Sequence, residues 1–151
     1  MRIPALPALL LLAMSWPALA DVPSHCTKSE RVVWSCRAGA KVYSVCASGV
    51  PDAAQSLWQY RAGKPGVVEL RHPEVARPPA GVFQFAVLPR GASLSFRRGG
   101  YLYDMREDIG GETLILVSGA QRSGTVKCGD STMTLTLTSS IEAFEAAGIK
   151  E

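Results

Sequence analysis

The sequence predicts an all-β fold, a small antiparallel barrel or sandwich with one short C-terminal helix. Three observations carry this. From Arg31 onward, short runs rich in Val, Tyr, Trp and Phe recur at regular intervals, as strands do. Gly- and Pro-containing turns separate them, which is the pattern of small barrels and sandwiches. Only the tail shifts to a helical period.

Residues 31–36 and 41–46 read as a hairpin joined by Arg37-Ala38-Gly39-Ala40. Residues 57–62 form the next strand, followed by a Gly63-Lys64-Pro65-Gly66 turn. The strand at 67–72 is expected to close at Pro73, because proline has no N–H for the ladder. Arg77-Pro78-Pro79-Ala80-Gly81 reads as a loop for the same reason. Strands are expected at 82–88, 92–97 and 101–106. Residues 113–118 form another strand with a continuous apolar run from Leu114 to Val117, as a central strand would have. After a polar turn at 119–124, strands at 125–128 and 133–137 complete the β portion. In the last of these Met133, Leu135 and Leu137 alternate with threonines. Ser139 with Glu142 makes a capping box for a helix over about 140–147. Ile141 and Phe144 form its apolar stripe, and Gly148 is its stop. The tail from Ser139 is expected to be separable, leaving the disulfide-bonded core folded.

The first twenty residues read as an export signal. Met1-Arg2 is a basic start, and residues 3–13 are almost wholly apolar. Ala18-Leu19-Ala20 supplies the small-x-small cleavage pattern. The apolar run is broken by Pro4, Pro7 and Pro17 and falls short of the roughly 20 residues needed to span a bilayer. The domain plan is therefore 1–20 signal peptide and 21–151 single secreted β domain, periplasmic or extracellular. The residue after the cleavage point is Asp21, not the cysteine of a lipoprotein. No later stretch is long enough to be a membrane span.

The formal charge is +3, and loss of Arg2 lowers it by one. That is too small to imply a nucleic-acid partner. Charge is uneven, however. Residues 61–106 hold eight Lys/Arg against three Asp/Glu, and 107–151 hold seven acids against three bases. A basic middle could face an anionic envelope polymer or an acidic protein.

In an exported chain the four cysteines read as disulfides. Cys36 lies beside the hairpin turn and Cys46 at its open end. About 16 Å separates those levels at the usual strand rise, and a disulfide needs Cα atoms within about 7 Å. This disfavours Cys36–Cys46 together with Cys26–Cys128. Two pairings remain: Cys26–Cys46 with Cys36–Cys128, or Cys26–Cys36 with Cys46–Cys128. The first is preferred, because the segment before Arg31 passes the open end where Cys46 sits. It would pin an N-terminal arm and tie the first hairpin to a late strand.

Catalytic motifs are absent from the reading. There is no Gly-x-Ser-x-Gly, no His-Glu-x-x-His and no Cys-x-x-Cys. His25 and His72 have no metal-ligand spacing, and His72 reads as a surface residue. Glu107-Asp108 are adjacent in a loop, where neighbours point apart. The expectation is no enzyme activity, no cofactor and no metal.

The segment Phe96-Arg97-Arg98-Gly99-Gly100-Tyr101-Leu102-Tyr103 is the candidate contact. It offers Arg97 and Arg98 for paired hydrogen bonds, glycines for close approach, and Tyr101 and Tyr103 on one face as aromatic anchors. The function expected is an exported, non-catalytic binding or inhibitory module acting on a protein or an anionic envelope polymer, of undetermined oligomeric state. The alternatives are a structural or stress-related envelope protein without a discrete ligand and, behind it, a hydrolase using acids or His72.

Val33-Trp34-Ser35-Cys36, residues 41–48 (Lys-Val-Tyr-Ser-Val-Cys-Ala-Ser) and residues 57–63 (Leu-Trp-Gln-Tyr-Arg-Ala-Gly) together resemble a family of small exported proteobacterial proteins of unassigned function. The resemblance covers the front half. Gly99-Gly100-Tyr101-Leu102-Tyr103 and Cys128 match the back half more loosely, and the tail after Cys128 lies outside it. It implies an oxidised secreted domain without catalytic residues. The chain is also similar in export, size and disulfides to the small β-barrel inhibitors of c-type lysozyme. Those present a Ser-Gly-x-x-Tyr loop, and neither Ser118-Gly119 nor Ser123-Gly124 is followed by its tyrosine.

Overall fold

Two glycine-assisted hairpins build the first sheet. The computed structural model describes residues 21–50 and 52–151; the expected leader lies outside the described residues. β1 (Glu30–Ala38) and β2 (Lys41–Ser48) pair around Gly39-Ala40, with Gly39 at φ 57°. A left-handed residue matches a two-residue turn to the strands' twist. β3 (Trp58–Lys64) follows, then Pro65-Gly66 and β4 (Val67–Arg77). A two-residue strand, β10 (Asp130–Ser131), joins the free side of β1, giving the order β10-β1-β2-β3-β4.

β4 does not end at Pro73. The register jumps from Tyr60 opposite His72 to Trp58 opposite Arg77, so the strand bulges over the proline and resumes. β4 is an edge strand, where a missing N–H is tolerated. The buried Gln59 amide takes the place of the ladder, donating from Nε2 to the carbonyls of Pro73 (2.9 Å) and Glu74 (3.0 Å).

The second sheet is a meander, β5 (Phe83–Leu88), β6 (Gly91–Arg98), β7 (Tyr101–Asp108), β8 (Thr113–Gly119) and β9 (Ser123–Lys127), in sequence order. Gly99 and Gly100, at φ 56° and 79°, make the β6–β7 turn. β8 has a neighbour on each side. Alternation puts Phe83, Phe85, Leu94, Phe96, Met105 and Ile115 on the buried face. They meet Trp34, Val45, Trp58 and Tyr60 of the first sheet. Ring centroids stand 6.0 Å apart for Trp58–Phe83 and 4.8 Å for Tyr60–Phe96. Of the two forms expected, the fold is the sandwich: neither sheet closes on itself.

Cys36 is bonded to Cys128 and Cys26 to Cys46, at Cα separations of 5.6 and 5.3 Å. The register explains the choice. Cys46 faces Val32 at the open end of the hairpin while Cys36 faces Tyr43 near its turn. Cys36–Cys128 links the two sheets. Cys26–Cys46 fixes residues 21–29 across the outside of the first sheet. There Ser35 and Ser44, both fully buried, bond each other (3.0 Å), Ser35 Oγ donates to the Pro23 carbonyl (2.6 Å), and the His25 N–H donates to Ser44 Oγ (3.0 Å). Arg61 holds the arm too, donating to the His25 carbonyl and to both oxygens of Glu30. The Arg61 bonds bring the Glu30 carboxyl down from its ordinary 4.5 to about 2. The pair therefore stabilises the fold above pH 4.5, and its contribution disappears as pH falls towards about 2.

The tail departs most from expectation. Residues 133–137 are not a strand. Threonine hydroxyls replace backbone groups along β1: Thr132 Oγ1 accepts from the Ser35 N–H (3.0 Å) and Thr134 Oγ1 donates to the Val33 carbonyl (2.6 Å). The next three N–H groups turn to a carboxylate described below. The helix, α1 (Thr138–Ala146), starts earlier than the capping box implies, with Leu137 as N-cap and no side-chain cap. Its end is a Schellman motif on Gly148 (φ 74°): Gly148 N–H donates to Glu145 (2.9 Å) and Ile149 N–H to Phe144 (3.0 Å). Phe144 is buried against Trp58 (5.7 Å) and Phe85 (4.8 Å). The Lys150 carbonyl accepts from the Phe85 N–H (3.2 Å), covering the edge of β5. The tail is part of the main core, contrary to the expectation that it is separable.

Candidate functional site

Two hollows flank the β6–β7 hairpin, one lined by Phe96 and Arg97 of β6 and the other by Tyr101 and Tyr103 of β7. Successive strand residues point to opposite faces, so Arg97 and Arg98, although adjacent and both exposed, diverge. Arg97 sits opposite Leu102 and Arg98 opposite Tyr101. The four residues singled out from the sequence therefore do not form one patch.

The larger hollow is a cleft of about 520 Å³ between the β4 bulge and the β5–β6 edge. His72, Glu74 and Arg77 line it from β4, Gln84 from β5, and Phe96 and Arg97 from β6. Twenty-four residues separate His72 from Phe96, and the packing of the two sheets puts their rings 4.6 Å apart and 12° from parallel. Burial lowers the pKa of His72, and the nearby positive charges of Arg98 and Arg77 lower it further. The imidazole is therefore neutral at neutral pH, able to donate one hydrogen bond and accept another. It is a half-buried surface residue at the cleft wall.

The smaller hollow, about 330 Å³, lies on the other side of the turn. Tyr101, Tyr103, Val117, Arg122 and Gly124 line it. Tyr103 is half-buried, its ring stacked on Phe96 at 4.9 Å and 5°. His72, Phe96 and Tyr103 are thus three stacked rings joining the two hollows. Tyr101 lies over Gly119, where a Cβ would stand 2.5 Å from the ring. Any side chain at 119 would collide with that ring.

Cations dominate this end. Arg37, Arg61, Arg90 and Arg106 each pair with an acid. Arg77, Arg97 and Arg98 take part in no ion pair among the described residues. Sequence reading found Arg97 and Arg98 but missed His72 and Arg77. Proline neighbours made both look like strand-end or loop residues.

The remaining titratable groups are engaged in structure. His25 Nε2 faces the carbonyls of Val42 (3.1 Å) and Gly63 (3.3 Å) under the N-terminal arm. Glu107 and Asp108 point apart. Asp108 accepts from the Gly110 N–H (2.6 Å) and pairs with Arg90 at the surface. Glu107 is 1 % exposed and accepts from three consecutive N–H groups, Thr134 (2.9 Å), Leu135 (2.8 Å) and Thr136 (3.2 Å). Burial raises its pKa, against the lowering effect of those donors and of nearby Trp34. The Trp34 indole N–H itself falls short of hydrogen-bond geometry. Among the described residues no group of three or more His, Cys, Asp or Glu is placed to hold a metal ion. No described helix is long and apolar enough to cross a membrane.

No family model, no curated protein and no solved structure matches the chain.

Proposed function

We propose that the protein is an exported, non-catalytic binding module whose β6–β7 end engages an acidic partner in the envelope or outside the cell. One observation carries this reading: three arginines, Arg77, Arg97 and Arg98, gather at one end with no acid paired to them among the described residues. Guanidinium groups left unpaired present their donor forks to an external carboxylate or phosphate. Two disulfides fit the oxidising compartment that export implies. The modest overall charge argues against nucleic acid as the partner. No group in the cleft is paired with a second carboxylate or a nucleophile in the way a hydrolase requires, which favours binding over turnover.

The test is capture from envelope extract by the immobilised, disulfide-bonded chain. Arg97→Ser with Arg98→Ser is expected to abolish capture. Stability should change by no more than about 0.5 kcal/mol, as for exposed sites generally. Tyr101 and Tyr103 are poor probes, since both rings pack on the sheet. Capture that survives the double substitution refutes the reading, and so does a wild-type chain that captures nothing.

A further inference from the structure

We infer that the His72–Arg77–Arg97 cleft is a subsite for an acidic saccharide, and that the ligand is a linear chain of carboxylated sugars crossing the β6–β7 turn. The inference rests on the binding reading above and specifies its ligand.

Shape argues first. The cleft, about 520 Å³, is the size of a small-molecule site and is concave. An extended chain can lie along such a hollow, whereas a folded protein partner would have to insert a protruding loop or side chain. Chemistry argues next. His72 is held flat against Phe96, which is 2 % exposed, so the imidazole is a fixed planar element of the wall. Sugar rings lay their C–H faces on such surfaces. Arg77 and Arg97 flank it with two guanidinium forks, each able to hold a carboxylate by two parallel bonds. Glu74 and Gln84 add an acceptor and an amide for hydroxyl groups. A chain of acidic amino acids would use the arginines but has no need of the ring.

The same combination recurs across the turn, where Tyr101 and Arg122 line the second hollow. A Cβ built on either Gly99 or Gly100 would meet nothing within 4 Å. The crest between the hollows is therefore bare, and a chain can pass over it against the backbone. Two aromatic-plus-arginine hollows, joined by an unobstructed glycine crest, fit a repeating acidic polymer.

The experiment is calorimetric titration of the full disulfide-bonded chain with a linear galacturonate hexamer. Its methyl-esterified, uncharged counterpart and a polyglutamate peptide of similar charge are the comparisons. The hexamer is expected to bind at least about tenfold more tightly than either, with affinity falling as salt rises. Arg77→Ser and Arg97→Ser should each weaken it about tenfold. His72→Ala should weaken it several-fold and His72→Phe should restore it. Arg122→Ser should weaken the hexamer but leave binding of a galacturonate dimer unchanged. Equal binding of polyglutamate would overturn the saccharide assignment while leaving the acidic-partner reading in place. Hexamer binding indifferent to Arg77 and Arg97 would overturn the site. Envelope capture without any hexamer binding would overturn this inference and spare the binding reading.

Discussion

Glu107→Ala is expected to destabilise the protein by about 3–5 kcal/mol, because it leaves three N–H donors without an acceptor at about 1–3 kcal/mol each, less than additively. The carboxylate is the acceptor for three successive N–H groups, at Thr134, Leu135 and Thr136. An alanine side chain accepts from none of them. Bonds to a charged group contribute about 1.5–3 kcal/mol each, but they are not additive. Glu107→Gln should cost less, since one oxygen still accepts. The pH dependence has a definite sign. Burial raises this carboxyl's pKa, so the folded state favours the protonated form. Its stabilising contribution is full below pH 4.5 and declines as pH rises through the raised value. Glu30 acts oppositely, adding stability as pH climbs from about 2 to 4.5. Urea unfolding against pH should therefore rise and then sag, and Glu107→Gln should remove the sag. A Glu107→Ala variant within about 1 kcal/mol of wild type would contradict the account.

Deleting residues 138–151 should have a still larger effect. It removes Phe144, Ala147 and Ile149, all buried. It also uncovers Trp58 and Phe85, which Phe144 contacts. Phe144→Ala alone is expected to cost about 3–5 kcal/mol. Losing the whole element exceeds that and approaches the total stability of a domain this size, roughly 5–15 kcal/mol. The truncated chain should give no cooperative thermal transition and no near-ultraviolet dichroism from its buried tryptophans. A truncation that unfolds cooperatively near the wild-type temperature would show that the helix only rests on the sandwich.

The strands were legible because a period-2 pattern and glycine turns are local features. Gly39, Gly66 and the Gly99-Gly100 pair stand where the structure turns. The cysteine pairing followed from the same register. What escaped depended on partners distant in sequence. Met133, Leu135 and Leu137 alternate as a strand would, yet alternation cannot say whether a partner edge is free. Thr132 and Thr134 occupy that edge with hydroxyls, and Glu107 draws the following N–H groups away. Met133 itself adopts φ 49°, outside any strand conformation. Pro73 looked like a stop because the Gln59 amide that replaces its ladder bonds lies on another strand. The site was legible by half for the same reason. Arg97 and Arg98 stand out as a pair in the chain, but strand geometry sends them to different faces. His72 and Arg77 join Arg97 only when the two sheets pack.

The central claim is that the β6–β7 end is the contact face. Amide chemical-shift mapping of the labelled chain during titration with the galacturonate hexamer tests it most directly. The largest shifts should fall at residues 72–77, 96–103 and 119–124, with β1, β2 and the α1 helix unmoved. Shifts centred on the N-terminal arm or the helix would contradict it.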